Sequence, residues 1–162
     1  MPKTRSEISK TLDIGTEFLF LNSFSYLSAE ETAKTENQFE IEENILAQGF
    51  GTYEFKDSSL TRAHFLSNQV VPGSLLLESV LQCTAMTVYT HLEASNGLRA
   101  LIIGASIELR NSLEIGEAIH IVSELEKIDR GIIRTSAICK TSEKIICKAQ
   151  LKYWYPRTVV GK

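Results

Sequence analysis

Residues 63–92 read AHFLSNQVVPGSLLLESVLQCTAMTVYTHL, and the only formal charge among them is Glu78. The chain is 23% charged, so thirty average residues would carry about seven charges. Burial excludes charge unless it is paired or useful. Pro72-Gly73 marks a helix start and Asn96-Gly97 a natural stop, which predicts a helix over 73–92. That helix is apolar on nearly every face, as expected of one wrapped by other structure. His64 stands in the loop before it, fourteen residues ahead of Glu78.

The flanking sequence predicts what does the wrapping. Residues 18–26 are aromatic and apolar and read as a strand. Ser28-Ala29-Glu30 reads as a turn, and 31–41 as a second, weaker strand. Residues 42–56 read as an irregular or short-strand segment because of Gly49 and Gly51. Residues 57–72 read as loop. After the helix come strands over 98–108, 117–127, 132–140 and 145–155, with Asp129-Arg130-Gly131 as a hairpin turn. In the last strand Cys147, Ala149, Leu151 and Tyr153 alternate with Lys148, Gln150 and Lys152, giving one buried and one wet face. Short connections favour antiparallel pairing. The predicted fold class is α+β: an antiparallel sheet around one long central helix. A single sheet does not cover a helix that is apolar all round, which predicts a second subunit.

The 162 residues are enough for one domain with a real core, preceded by a polar extension over 1–15. The net charge of −3 argues against a general binder of nucleic acid or membrane surfaces. Cys83, Cys139 and Cys147 show no metal-binding spacing and read as free buried thiols of a reducing cytosol. The basic residues near the N-terminus precede no apolar run of the secretory kind, so the expected location is cytoplasmic. Residues 70–89 are long enough to suggest a membrane span, but Pro72, Gly73, Glu78 and Gln82 interrupt them, and a buried soluble helix is the expectation.

His64 and Glu78 suggest acid–base chemistry. A neutral imidazole abstracts a proton and a protonated carboxyl delivers one. Burial favours the neutral form of each. The backbone N–H groups of Gly73 and Ser74 at the helix start have no partner within the helix and can bind an oxygen that gains negative charge. Base, acid and oxyanion donor together suit proton abstraction beside a carbonyl with loss of a β leaving group. Read singly, a loop histidine is also an ordinary solvated residue, and a buried glutamate a satisfied core residue.

The block His64-Phe65-x6-Pro72-Gly73-x-Leu75-x2-Glu78-x3-Gln82 resembles the active-site block of the β-hydroxyacyl-acyl-carrier-protein dehydratases, which have the hotdog fold. The resemblance extends over roughly 17–155 and includes Phe18-Leu19-Phe20-Leu21 and Gly116. It implies a sheet wrapped around the helix, and two subunits pairing their sheets edge to edge, as a dimer or a trimer of dimers. It implies His64 as the base at the α carbon of a 3-hydroxyacyl thioester, and Glu78 of the other subunit as the acid assisting loss of the β-hydroxyl. It places the thioester oxygen on the Gly73 N–H and makes Phe65, Pro72 and Gln82 pocket candidates. Glutamate rather than aspartate at 78 implies dehydration without isomerisation. No metal or redox cofactor is implied; the acyl chain arrives on the phosphopantetheine of an acyl carrier protein, an acidic partner that Arg110 is a candidate to contact. The chain departs from the family after His64, where Leu66-Ser67-Asn68-Gln69 replaces a proline-rich loop, and at Glu17 and Asn22. Residues 42–56 read as added length. A hotdog thioesterase and a non-catalytic acyl-binding hotdog subunit are the alternatives. His91 is expected to cap helix carbonyls, His120 to face solvent, and Tyr153, Trp154 and Tyr155 to pack or make dimer contacts.

Overall fold

A computed structural model describes residues 1–34, 45–58, 61, 69–93 and 100–155. Two short helices lie within residues 1–34. α1 (Arg5–Leu12) follows β1 (Lys3–Thr4) and is opened by a capping box: the Thr4 hydroxyl accepts from the Glu7 N–H, and Glu7 accepts from the Thr4 N–H. Those donors hold the Glu7 carboxyl below its ordinary range. A turn at Thr16–Phe18 leads to β2 (Ser23–Ser28) and then α2 (Ala29–Lys34). Beyond these lie β3 (Ala47–Glu54), α3 (Gly73–His91), β4 (Leu101–Leu109), β5 (Ala118–Asp129), β6 (Ile132–Lys140) and β7 (Ile145–Trp154).

The strands form one antiparallel sheet in the order β1-β2-β3-β5-β6-β7-β4, with α3 against its inner face. The alternation that predicts the strands is what builds that face. Ile119, Ile121, Ser123 and Leu125 of β5, Ile133, Thr135, Ala137 and Cys139 of β6, and Cys147, Ala149, Leu151 and Tyr153 of β7 are all buried. His120 is exposed, as expected. Arg130 and Gly131 both take left-handed φ, 50° and 85°, the geometry of the two-residue hairpin turn predicted there. Tyr155 is tied back to that turn by its N–H, 2.8 Å from the Gly131 oxygen.

The polar extension over 1–15, loose or docked by its sequence, is docked. Ile8 is fully buried, and the Arg5 guanidinium donates to the Thr16 oxygen at 2.8 Å and the Leu21 oxygen at 3.2 Å. Several expectations are corrected. Phe18 belongs to a turn, and the strand starts only at Ser23. The expected turn at 28–30 is the start of α2, because Ser28 and Glu31 form a second set of reciprocal caps. The strand expected over 31–41 is therefore helical through Lys34, and its remainder lies outside the described residues. The expected start of the next strand at Leu98 and the Asn96-Gly97 stop also lie outside them.

The largest correction concerns 42–56. Its described part contains a regular central strand, paired with β2 on one side and β5 on the other. Gly49 and Gly51 lie two residues apart, hence on one face, and that face meets α3. A methyl at Gly49 would run into the Thr87 hydroxyl and come within 2.8 Å of Phe24 and Ser123. One at Gly51 would come within 2.8 Å of Leu21 and 3.0 Å of the Cys83 sulfur. The glycines are the clearance through which the helix touches the sheet. Polar groups line that contact: Thr87 hydrogen-bonds Ser123, and Ser123 donates to the Gly49 oxygen at 3.2 Å. Buried hydroxyls so paired avoid the cost of desolvation without a partner.

Gly49→Ala is expected to cost about 1–3 kcal/mol by overpacking. Gly104→Ala on β4, where a methyl carbon would have its nearest neighbours at 3.8 Å, should be close to neutral. Urea unfolding of both variants measures the difference; equal stability of the two would contradict the close approach.

Candidate active site

α3 enters the sheet through a fixed start. The Val71 N–H donates to the Leu113 oxygen and the Ile115 N–H to the Gln69 oxygen, both at 2.8 Å, so 69–71 and 113–115 form a short antiparallel clasp. Pro72 is buried and stands at the N-cap, where it supplies no side-chain cap to the first turn. Gly73 lies under Leu109, whose side chain would sit 3.0 Å from a β carbon there. Arg110 follows Leu109 and so stands at the same end of the molecule. Its guanidinium is exposed and pairs with Glu108 at 2.8 Å, an arrangement that contributes about 0–1 kcal/mol.

Glu78 sits on the second turn of α3 and is half-buried. One turn on, Gln82 is 4% exposed and uses both ends of its amide. Its oxygen accepts from the Phe20 N–H at 2.7 Å; its nitrogen donates to the Phe18 oxygen and to Glu78 Oε1, each at 2.8 Å. The backbone donor at Phe20 fixes which end of the amide is oxygen. The NH₂ group must then face Glu78, and this contact orients the carboxylate. Gln82, a pocket candidate in the sequence, thus bonds Glu78. The sequence does not reveal the two bonds to the 18–20 segment that make the contact rigid.

Phe20 also borders an open cleft of about 420 Å³ beside the start of α3. Tyr53, Phe55 and Leu75 share the wall with it, and Arg5, Asn22, Lys56, Ser58 and Thr61 add polar groups. The aromatic rings pack edge to face, Phe20 against Tyr53 at 5.6 Å and Tyr53 against Phe55 at 4.8 Å. Across the helix, Tyr153 is fully buried, hydrogen-bonds Thr84, and has its phenol pushed up by burial. His91 does not cap carbonyls as expected. Its Nδ1 is 2.9 Å from the Tyr26 hydroxyl, and burial draws its imidazole below the ordinary histidine value. Among the described residues no three metal-ligating side chains cluster. No described helix is long and apolar enough to cross a membrane.

His64 and Phe65 lie outside the described residues. The structure therefore brings together Glu78, Gln82 and the Pro72-Gly73 helix start, and sets Arg110 near that end.

Comparison with solved structures fits this architecture. Zebrafish thioesterase superfamily member 2 superimposes with a TM-score of 0.62 at 14% identity, over 93% of this chain and 94% of that one. The chain has the hotdog fold. A hypothetical thioesterase from Streptococcus pneumoniae, solved with coenzyme A, gives a TM-score of 0.57 at 19% identity over 75% of this chain and 90% of that one. In sequence, this hotdog chain is similar to 3-hydroxyacyl-[acyl-carrier-protein] dehydratases. It is 28% identical to that of Shewanella sediminis over 56% of this chain and 61% of the relative. It is 30% identical to that of Vibrio atlanticus over 55% and 61%. It is 24% identical to that of Bacillus licheniformis over 70% and 78%. The chain thus spans about three fifths of the first two relatives. No family model matches it.

Gln82→Leu leaves a buried N–H and C=O unpaired and is expected to lower stability by about 2 kcal/mol or more. Gln82→Glu keeps the acceptor for Phe20 but sets a second carboxyl against Glu78. Burial and that neighbour raise the new group's folded pKa above its unfolded value of about 4.3. Its stability is then fully present below that value and is lost as pH rises through the folded pKa. Urea midpoints taken from pH 4 to 8 test this; a deficit that does not grow with pH would remove Gln82 from the site.

Proposed function

We propose that the chain is a dehydratase converting 3-hydroxyacyl thioesters, carried on the phosphopantetheine of an acyl carrier protein, to trans-2-enoyl thioesters. The observation that carries this reading is Glu78, oriented by Gln82 on the second turn of an uncapped helix that begins at Pro72-Gly73. Similarity to curated dehydratases supports it. His64 removes the proton α to the thioester. The Gly73 N–H, favoured by the helix dipole, binds the thioester oxygen as negative charge collects there. Glu78 gives its proton to the β-hydroxyl, which leaves as water. The elimination transfers no net electrons.

Thioester hydrolysis is the second reading, and one contact favours it. A carboxylate that accepts an amide N–H is also placed to act as a base toward water, which a hydrolase requires. The two reactions leave different products: an enoyl thioester absorbs in the ultraviolet, and hydrolysis releases a thiol.

A second copy completes the proposed site. β4 pairs only with β7 among the described residues, and its Leu101, Ile102, Ile103 and Leu109 are each half exposed or more. A long apolar edge of this kind is a template for another strand. In this proposal a partner subunit pairs there, with His64 of one copy serving Glu78 of the other. Arg110, already paired with Glu108, is at most a peripheral contact for the acidic carrier.

Two measurements bear on these proposals. Purified protein given a 3-hydroxyacyl thioester is expected to form enoyl product, with His64→Ala and Glu78→Gln each lowering kcat/KM by about 100-fold or more. Undiminished turnover in both variants, or thiol release in place of enoyl product, would overturn the dehydratase assignment. In sedimentation equilibrium the wild type is expected to be a dimer or a multiple of one. Ile103→Lys, an exposed change within about 0.5 kcal/mol of neutral for a lone subunit, is expected to yield folded monomer. A monomeric wild type would remove the partner from the site.

A further inference from the structure

Cys139 and Cys147 face each other across the sheet. They are direct partners in the β6–β7 register, and both are fully buried. Both share the helix-facing side with the next pair along, Ala137 and Ala149. Residues directly opposite in an antiparallel pair have Cα atoms about 4.5–5.5 Å apart. A disulfide spans Cα separations of about 4.4–6.8 Å, so the two sulfurs can be joined without moving the strands. The turn between them is tied down: the Thr141 N–H donates to the Lys144 oxygen at 2.9 Å, and the Thr141 hydroxyl accepts from the Glu143 and Lys144 N–H groups at 3.2 Å. It holds the two strands in register at the cysteines.

The third cysteine stands on the helix. Cys83 projects from α3, its thiol lying 3.9 Å from the Ile121 oxygen and 3.7 Å from the Ser123 hydroxyl. Burial pushes that thiol up to about 12. The facing pair is unequal. The Cys147 neighbour and burial hold the Cys139 thiol up, whereas Cys139 draws the Cys147 thiol below its usual value. On its other side Cys147 pairs with Leu109 of β4.

We propose that Cys139 and Cys147 are a dithiol pair that a hydroperoxide converts to a cross-strand disulfide. The Cys147 thiolate attacks a peroxide oxygen and breaks the O–O bond; with hydrogen peroxide this yields a sulfenic acid and hydroxide, which takes up a proton as water. The Cys139 sulfur then attacks the sulfenic sulfur. Its proton leaves with the displaced hydroxyl as a second water. Two thiols lose two electrons in total, and one peroxide gains them. The product clasps β6 to β7 beneath α3 and leaves Cys83 as a thiol.

The test uses the full chain, reduced, exposed to hydrogen peroxide, then unfolded and alkylated with iodoacetamide. The intact mass is expected to show one alkylation instead of three, restored to three by dithiothreitol. Peptide mapping is expected to find a Cys139–Cys147 link within one molecule. Cys83→Ser should form the same link, and its oxidised form should unfold at a higher temperature than its reduced form. Three alkylatable thiols after peroxide, a link that includes Cys83, or a link between molecules would each overturn the proposal. So would over-oxidation of Cys147 with no link, because Cys139 would then have failed to resolve it.

Discussion

The placement of every other element depends on how closely α3 lies on β3. Interiors pack to crystal-like density, so a helix must find a matching depression in its sheet. Here the depression is made by leaving out two β carbons, at Gly49 and Gly51. Thr87 and Cys83 occupy that space. Because glycine carries nothing apolar to meet them, the contact is finished with polar groups instead. Ser123 serves as the hub, reached by Thr87 and Cys83 and donating to the Gly49 backbone. Such a seam is directional where a purely apolar one slides. It fixes the helix both along its axis and in rotation about it.

That rotation sets the face on which Glu78 emerges. Gln82 then converts helix placement into side-chain placement. It spans from the helix to the backbone at Phe18 and Phe20, and its remaining donor goes to the carboxylate. The aromatic cleft begins at the same Phe20. The N-terminal region thus takes part in the site. Arg5 of α1 holds the Thr16 and Leu21 carbonyls on either side of the segment that Gln82 reads.

Some of this is legible in the sequence, and the reason differs from element to element. The sequence predicts α3 over 73–92 and the helix spans Gly73–His91, because a long apolar run with a single charge, bounded by Pro-Gly, has few other readings. β6 matches residue for residue, since its alternation is strict and a left-handed turn precedes it. β3 reads as irregular or short strand because glycine lowers local strand propensity. The cause of those glycines lies more than thirty residues along, in Cys83 and Thr87. The Ser28-x-x-Glu31 signal of α2 is present but is masked by the aromatic run before it, which reads as a longer strand than it forms. For the site, the spacing of Glu78 and Gln82 is visible. The bonds from Gln82 back to positions 64 and 62 residues away are not, since no local pattern encodes them.

The two ends of the sheet are unlike. One is closed by β1, only two residues long, with Lys3 in it and α1 folded directly after. The other is β4, nine residues long and apolar at both ends. A ribbon with two open margins can add copies without limit and become a fibre. A ribbon with one can only meet the same margin of a second copy across a two-fold axis, and that encounter uses up the margin on both sides. If β4 pairs with a second copy as proposed, the blunted N-terminal border is the terminator that makes the assembly countable.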